Sequence, residues 1–168
     1  LEMPGYDLMG VIAGSEGLLG VITEVTVKIL PRPESARALL TGFATVEAAG
    51  QCVIDIIAEG IIPAGMEMMD KAAIHAAEAF CNAGYPMDAE SLLIVELDGP
   101  NIEVDYLIDR VAEISKRCGA YSSRVSQTEE ERLSFWAGRK AAFPAVGRIS
   151  PDYYCIDGTI PRARLPEV

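Results

Sequence analysis

Gly14-Ser15-Glu16-Gly17-Leu18-Leu19-Gly20-Val21-Ile22-Thr23 sets three glycines around one acid and runs directly into a β-rich stretch. Glycine permits positive φ and carries no Cβ, so Gly14, Gly17 and Gly20 can turn the chain and expose N–H groups to an anionic ligand such as a pyrophosphate. Spacing alone leaves a second reading open, in which the segment is only a turn leading into a strand.

Outward from this segment, Tyr6-Asp7-Leu8 precedes it and Glu24-Val25-Thr26-Val27-Lys28-Ile29-Leu30-Pro31-Arg32-Pro33 follows it. Residues 20–30 alternate, with Val21, Thr23, Val25, Val27 and Ile29 on one side, and predict a β-strand. Pro31 and Pro33 end it. A Pro-Arg-Pro-Glu segment is stiff and cannot pair as a central strand, which places a domain boundary between residues 1–33 and 34–168.

Beyond the boundary, short apolar runs cycle with amphipathic helices. Strands are predicted at Leu39–Ala44, Met66–Met69, Leu92–Leu97 and Tyr121–Ser126. The intervening helices are predicted over 46–59 with Thr45 as N-cap, from Asp70 to a stop at Gly84, and from Asn101 to Gly119. Thr128-Glu129-Glu130-Glu131 reads as a capping box for a helix through Arg139. Strand–helix alternation by itself suggests a parallel α/β sheet, although split βαβ units fit the same order.

The composition narrows the function classes. A chain of 168 residues with 50% hydrophobic content suits one globular domain, or one domain plus a piece of another. Fourteen basic against 25 acidic residues give a net charge of −11, which argues against nucleic acid and anionic membrane surfaces as partners. No apolar run reaches the roughly 18 residues of a membrane span. Cys52, Cys81, Cys118 and Cys155 stand far apart and are expected to be buried, reduced thiols of a cytoplasmic protein. His75, the sole histidine, has no companion at ligand spacing, so no metal site is expected. Glu67 with Asp70 and Glu96 with Asp98 are paired acids that a solvated edge or a helix cap explains.

The YDL, the GSEG run, the following strand and the Pro-rich exit together closely resemble the end of the PCMH-type FAD-binding domain in flavoproteins of the vanillyl-alcohol-oxidase type. The family run GSEGTLGII is met here with Leu18 for Thr and Val21 for Ile. Within the family the resemblance is nearest to the FAD-linked glycolate, D-lactate and D-2-hydroxyglutarate oxidoreductases. It implies that the GSEG backbone packs against FAD, with Gly14, Ser15, Glu16, Gly17, Gly20 and Val21 as contacts. For the fold it implies an α+β class: a ferredoxin-like cap domain, its largely antiparallel sheet covered by helices, preceded by a terminal β segment of the FAD-binding domain.

Phe135-Trp136-Ala137-Gly138-Arg139-Lys140 carries the only Trp three residues before an Arg-Lys pair. Taken by themselves, these residues describe a core anchor and two cations that complement a helix C-terminus. Trp136-Ala137-Gly138-Arg139 also matches the W-x-x-R that supplies an arginine to the substrate carboxylate in the resembled family. On that basis Arg139, with Lys140 beside it, is expected to bind substrate; a guanidinium fork holds a carboxylate through two parallel bonds, whereas lysine offers a point charge. The 2-hydroxyglutarate enzymes are expected to have a Lys where this chain has Cys155, so a monocarboxylate such as glycolate or D-lactate fits better.

The base and metal histidines of the resembled family belong to a later H-x-x-x-G-x-G-x-x-H-type region not found here. No catalytic residue is therefore assigned. The chain opens with Leu1-Glu2 and stops at Pro166-Glu167-Val168, and is expected to be an inactive piece of an FAD-dependent 2-hydroxyacid dehydrogenase or oxidase. Expected partners are the hydroxy acid, further FAD-domain sequence and other oxidase subunits. An unpaired strand in residues 1–33 would associate or disorder, and a homo-oligomer is one outcome. The competing reading is a non-catalytic α+β module that binds a small carboxylate or homodimerises.

Overall fold

Asp7 begins the first helix, α1 (Leu8–Ala13), by accepting a hydrogen bond from the Gly10 amide at 2.9 Å. The structure is a computed structural model that describes residues 5–167, and it divides into one unit up to Arg32 and another from Pro33. In the first unit α1 leads into the glycine-rich turn, and residues 20–32 form no helix or strand. The strand predicted over 20–30 is therefore not formed. A strand needs a partner for its backbone groups, and none of the described strands pairs with this segment; Val21, Val25, Val27 and Ile29 are all exposed.

The second unit alternates β1 (Ser35–Phe43), α2 (Val46–Ala58), β2 (Gly65–Asp70), α3 (Lys71–Cys81), β3 (Ser91–Gly99), α4 (Asn101–Arg117), β4 (Ser122–Val125), α5 (Glu129–Lys140) and α6 (Ala142–Ile149), then a 3-10 segment, Arg162–Glu167. The sheet order is β2-β3-β1-β4, and every neighbouring pair is antiparallel. Since β3 runs against both β1 and β2, those two are parallel to each other with β3 inserted between them. This is a split βαβ arrangement, and β3-α4-β4 around β1 is a second one. The ferredoxin-like α+β expectation is met, with α3 added between β2 and β3.

Helices cover both faces, which explains why β1 and β3 read as near-continuous apolar runs rather than alternating ones. Leu39, Phe43, Leu93, Val95 and Leu97 face the helices α2 and α4, whose Ile56, Val104, Ile108 and Ile114 are fully buried. Ala38, Leu40, Leu92 and Ile94 face the other way, onto Ile74 and Ala77 of α3 and Phe135 of α5. The two cores share one sheet, so α5 is held on the face opposite α2 and α4.

The local capping chemistry follows the sequence closely. Thr45, Asp70 and Thr128 each accept from an amide three residues on, at 3.1, 2.8 and 3.2 Å. Two details differ. The carboxylate of Glu131 accepts from the Gln127 amide at 2.9 Å, one residue before the cap, because Arg124 holds its other oxygen at 3.0 Å. Helix α3 stops at Cys81 with Asn82 in the left-handed region at φ 50°, two residues before the expected Gly84. Helix α6 has no side-chain N-cap; Pro144 fits its first turn, where its missing N–H is no loss.

Candidate functional site

Helix α5 points one row of side chains at the β2–β3 end of the sheet: Arg132, Trp136 and Arg139, spaced by four and three residues and so on one helix face. Strand alternation aims two acids back at them. Glu67 is paired across β2–β3 with Ile94, on the face that packs against Phe135, while Met66 and Met68 turn to the other core. Glu96 lies diagonally from Glu67 on the same face, opposite Gly65.

The bonds that result are short. Glu96 Oε2 accepts from Trp136 Nε1 at 2.5 Å and from Arg132 Nη1 at 2.6 Å. Arg132 also forks onto Glu129, and these bonds, Glu129 first, push its guanidinium further above its ordinary value. Arg139 Nε donates to Glu67 Oε2 at 3.1 Å. The reading of these acids as a solvated edge is thus corrected for Glu96, whose side chain is 17% exposed, whereas Glu67 lies on the edge strand β2 at 41% exposure and Asp70 is the cap of α3.

Two glycines make this approach possible. A Cβ on Gly65 would stand 3.2 Å from the Trp136 ring, so the indole lies across the start of β2. A Cβ on Gly138 would come 2.4 Å from the hydroxyl of Tyr85 and 2.5 Å from its ring. Tyr85 is buried, donates to the Phe135 carbonyl at 2.5 Å, and is pushed up to about 12 by that burial. Tyr85, Glu67 and Gly65 escape a motif search, because each acts through a residue distant in sequence.

Arg139 also lines a cavity of about 350 Å³ whose walls are mainly Phe143, Val146, Tyr153, Tyr154 and Ile156. Arg139 is ion-paired to Glu67 through Nε, and neither of its Nη atoms makes a hydrogen bond with a described residue. An arginine paired on one edge with Glu67 therefore stands in the wall of an apolar hollow. Lys140 is exposed and does not line the cavity, so the two cations of the pair are not brought together there. Cys155 does line it and is exposed; the expectation of four buried thiols holds fully only for Cys52, since Cys81 and Cys118 are half-buried. The segment 150–161 that carries Cys155 forms no helix or strand that would bury it.

In the first unit, Ser15, Glu16, Gly17, Gly20 and Val21 line a hollow of about 380 Å³ together with Ile12, Ala13 and Ile22. Gly14 ends α1 at φ −87°, and of the three glycines only Gly17 takes positive φ, at 83°. Glu16 itself turns left-handed at φ 50°. The Gly14 and Ser15 amides bond back to the Gly10 and Ile12 carbonyls of α1 and the Leu18 amide to that of Ser15, whereas those of Glu16 and Gly17 bond to no described residue.

His75 is exposed and its Nε2 lies 3.0 Å from the Met87 carbonyl, tying α3 to the loop before β3. Among the described residues no group of three His, Cys, Asp or Glu side chains could hold a metal ion. No described helix is long and apolar enough to cross a membrane.

An antiparallel sheet sheathed on both faces by helices, in the order β2-β3-β1-β4, defines an α+β domain of ferredoxin-like arrangement. The family described as "FAD linked oxidases, C-terminal domain" matches residues 32–168, and the chain belongs to it. It is 60% identical over its whole length to the glycolate oxidase subunit GlcD of Escherichia coli (strain K12), covering 34% of that protein. With the subunit of the same name from Bacillus subtilis (strain 168) it shares 37% over 98% of this chain and 35% of that one. A D-lactate dehydrogenase [cytochrome] 1, mitochondrial, of Saccharomyces cerevisiae is 30% identical over 84% of this chain and 24% of its own. The chain thus spans about a third of the length of the curated relatives that match it over their whole alignment. In fold, an alkyldihydroxyacetonephosphate synthase superposes on 90% of this chain and 32% of its own with a TM-score of 0.67 at 22% identity.

Proposed function

We propose that the chain is part of an FAD-dependent enzyme that oxidises a small 2-hydroxy acid, glycolate or D-lactate, to the 2-oxo acid. Residues 1–33 are the end of its FAD-binding domain and residues 34–168 its cap. One observation carries the reading: Arg139, with no hydrogen bond at either Nη atom, lines an apolar cavity of about 350 Å³. A guanidinium in that position takes a carboxylate through two parallel hydrogen bonds. Phe143, Val146 and Ile156 surround it with apolar surface. The cavity lining offers one cation and no second, which suits a monocarboxylate.

The glycine-rich turn fits one wall of a flavin site. Its hollow is lined by Gly17 and Gly20, at either of which a Cβ would meet nothing, and the Glu16 and Gly17 amides are free to meet an anionic group. Gly14, Ser15 and Val21 complete the assigned contacts. FAD, when bound, supplies the hydride acceptor, and the protein orients the substrate toward it. The cavity lining holds no His, Asp or Glu, so the base for the hydroxyl proton is assigned to another part of the enzyme and the isolated chain is inactive.

The relatives' names as subunits support assembly with other oxidase subunits. Four free cysteines support a reducing, cytoplasmic setting. The test is steady-state kinetics of the full-length flavoprotein. Arg139→Ala raises KM for glycolate or D-lactate about a hundredfold, the loss of two charge-assisted bonds, while flavin content is unchanged. An unaltered KM would remove the substrate assignment.

A further inference from the structure

The bond between Arg139 and Glu67 uses Nε rather than either Nη. An arginine has five donors in a rigid plane, so holding the Nε edge fixes where the Nη edge points. Glu67 itself is placed by the sheet: it occupies the β2 position opposite Ile94, and its neighbour two residues back, Gly65, lets the Trp136 ring come close to the same strand. The last turns of α5 are thereby seated over β2 at two points, and Arg139 is the second of them.

We infer that Glu67 is a positioning residue for substrate binding: it clamps Arg139 by its Nε edge and presents the Nη pair to the cavity as a pre-aligned fork for a carboxylate. This rests on the substrate role proposed for Arg139. A rival use of the same contact is competition, in which Glu67 occupies the arginine and an incoming carboxylate displaces it. The geometry favours positioning, because neither Nη atom makes a hydrogen bond with a described residue while Nε does. The two side chains are 34% and 41% exposed, so solvent screens the attraction between the charges and the directional bond is the larger effect.

Two substitutions separate bond from charge. Glu67→Gln keeps an acceptor for the Nε–H and removes the charge; Glu67→Ala removes both. In the full-length flavoprotein, Glu67→Ala raises KM for the hydroxy acid about tenfold with kcat changed less than twofold, since a freely rotating arginine loses part of the bidentate alignment. Glu67→Gln restores KM to within about twofold of wild type. Thermal melting of each variant checks folding.

The Arg139→Ala variant measured alongside distinguishes the two layers of the argument. If it raises KM and Glu67→Ala does not, the positioning role is overturned and the substrate role of Arg139 stands. If neither moves KM, the substrate role has failed first. A Glu67→Ala variant that lowers KM would show displacement rather than clamping, and a Glu67→Gln variant as impaired as Glu67→Ala would show that the charge, not the bond, does the work; either overturns the proposal. A fall in kcat at unchanged KM would do so as well.

Discussion

Trp136 Nε1 and Arg132 Nη1 converge on a single oxygen, Oε2 of Glu96, at 2.5 and 2.6 Å, and this shared acceptor fixes α5 to the sheet. Glu96 and Arg132 have side chains only 17% and 16% exposed, so the convergence is shielded from bulk water.

Glu96→Ala leaves two donors without this acceptor in a half-buried place, and a loss of about 2–3 kcal/mol in unfolding free energy is expected. Glu96→Gln retains one oxygen and loses roughly half as much. Urea unfolding followed by tryptophan emission measures both, because Trp136 is the only tryptophan. Equal midpoints for wild type and Glu96→Ala would show that the acid does not anchor the helix.

Gly138→Ala drives a methyl group to within 2.4 Å of the Tyr85 hydroxyl, closer than real contacts allow. Tyr85 is buried and cannot swing aside, so overpacking of about 1–3 kcal/mol outweighs the gain in helix propensity. Combining Gly138→Ala with Tyr85→Ala tests the cause: thermal melts of the double-mutant cycle show strong non-additivity if this clash is responsible.

Tyr85 supplies a pH prediction. Burial raises it from 10.0 to about 12, so the folded state keeps its proton where the unfolded state gives it up. Its contribution is complete below pH 10 and is lost as pH rises toward 12, with about 2–3 kcal/mol at stake. The unfolding free energy of wild type therefore falls more steeply between pH 10 and 12 than that of Tyr85→Phe. Parallel slopes would contradict the assignment.

At Gly50 the sign depends on a partner. A Cβ there would meet Pro166 Cγ at 2.4 Å, since the 3-10 segment Arg162–Glu167 lies against α2 at this point. Gly50→Ala alone destabilises the fold. In a Pro166→Ala background the obstacle is gone, and the same substitution stabilises by about 0.5–1 kcal/mol through helix propensity. Differential scanning calorimetry of the four proteins reads out the reversal.

Helix starts were legible because they are local. Thr45, Asp70 and Thr128 each reach an amide three residues away, a distance that sequence spacing states directly. The four strands of the second unit were predicted in place, β3 most plainly as an apolar run, but their direction was not legible: strand–helix alternation also suggests a parallel sheet, and only the family resemblance pointed to the antiparallel one. The strand predicted at residues 20–30 shows the opposite failure. Its alternation is real, but a β pattern states only what a partner would find, and no described strand supplies one.

For the candidate site, the sequence by itself singled out Arg139 and the GSEG segment as chemistry-bearing, through side-chain type and motif. Tertiary structure alone decided that Glu67, 72 residues away, holds the Nε edge of Arg139, that Lys140 stays outside the cavity and that Cys155 lies in its wall. The physical reason is the range of the interactions involved. Capping and helix periodicity act over three or four residues and can be counted along the chain, whereas the pairing of an acid on β2 with an arginine on α5 depends on the order in which four strands assemble and on which face of the sheet each side chain meets.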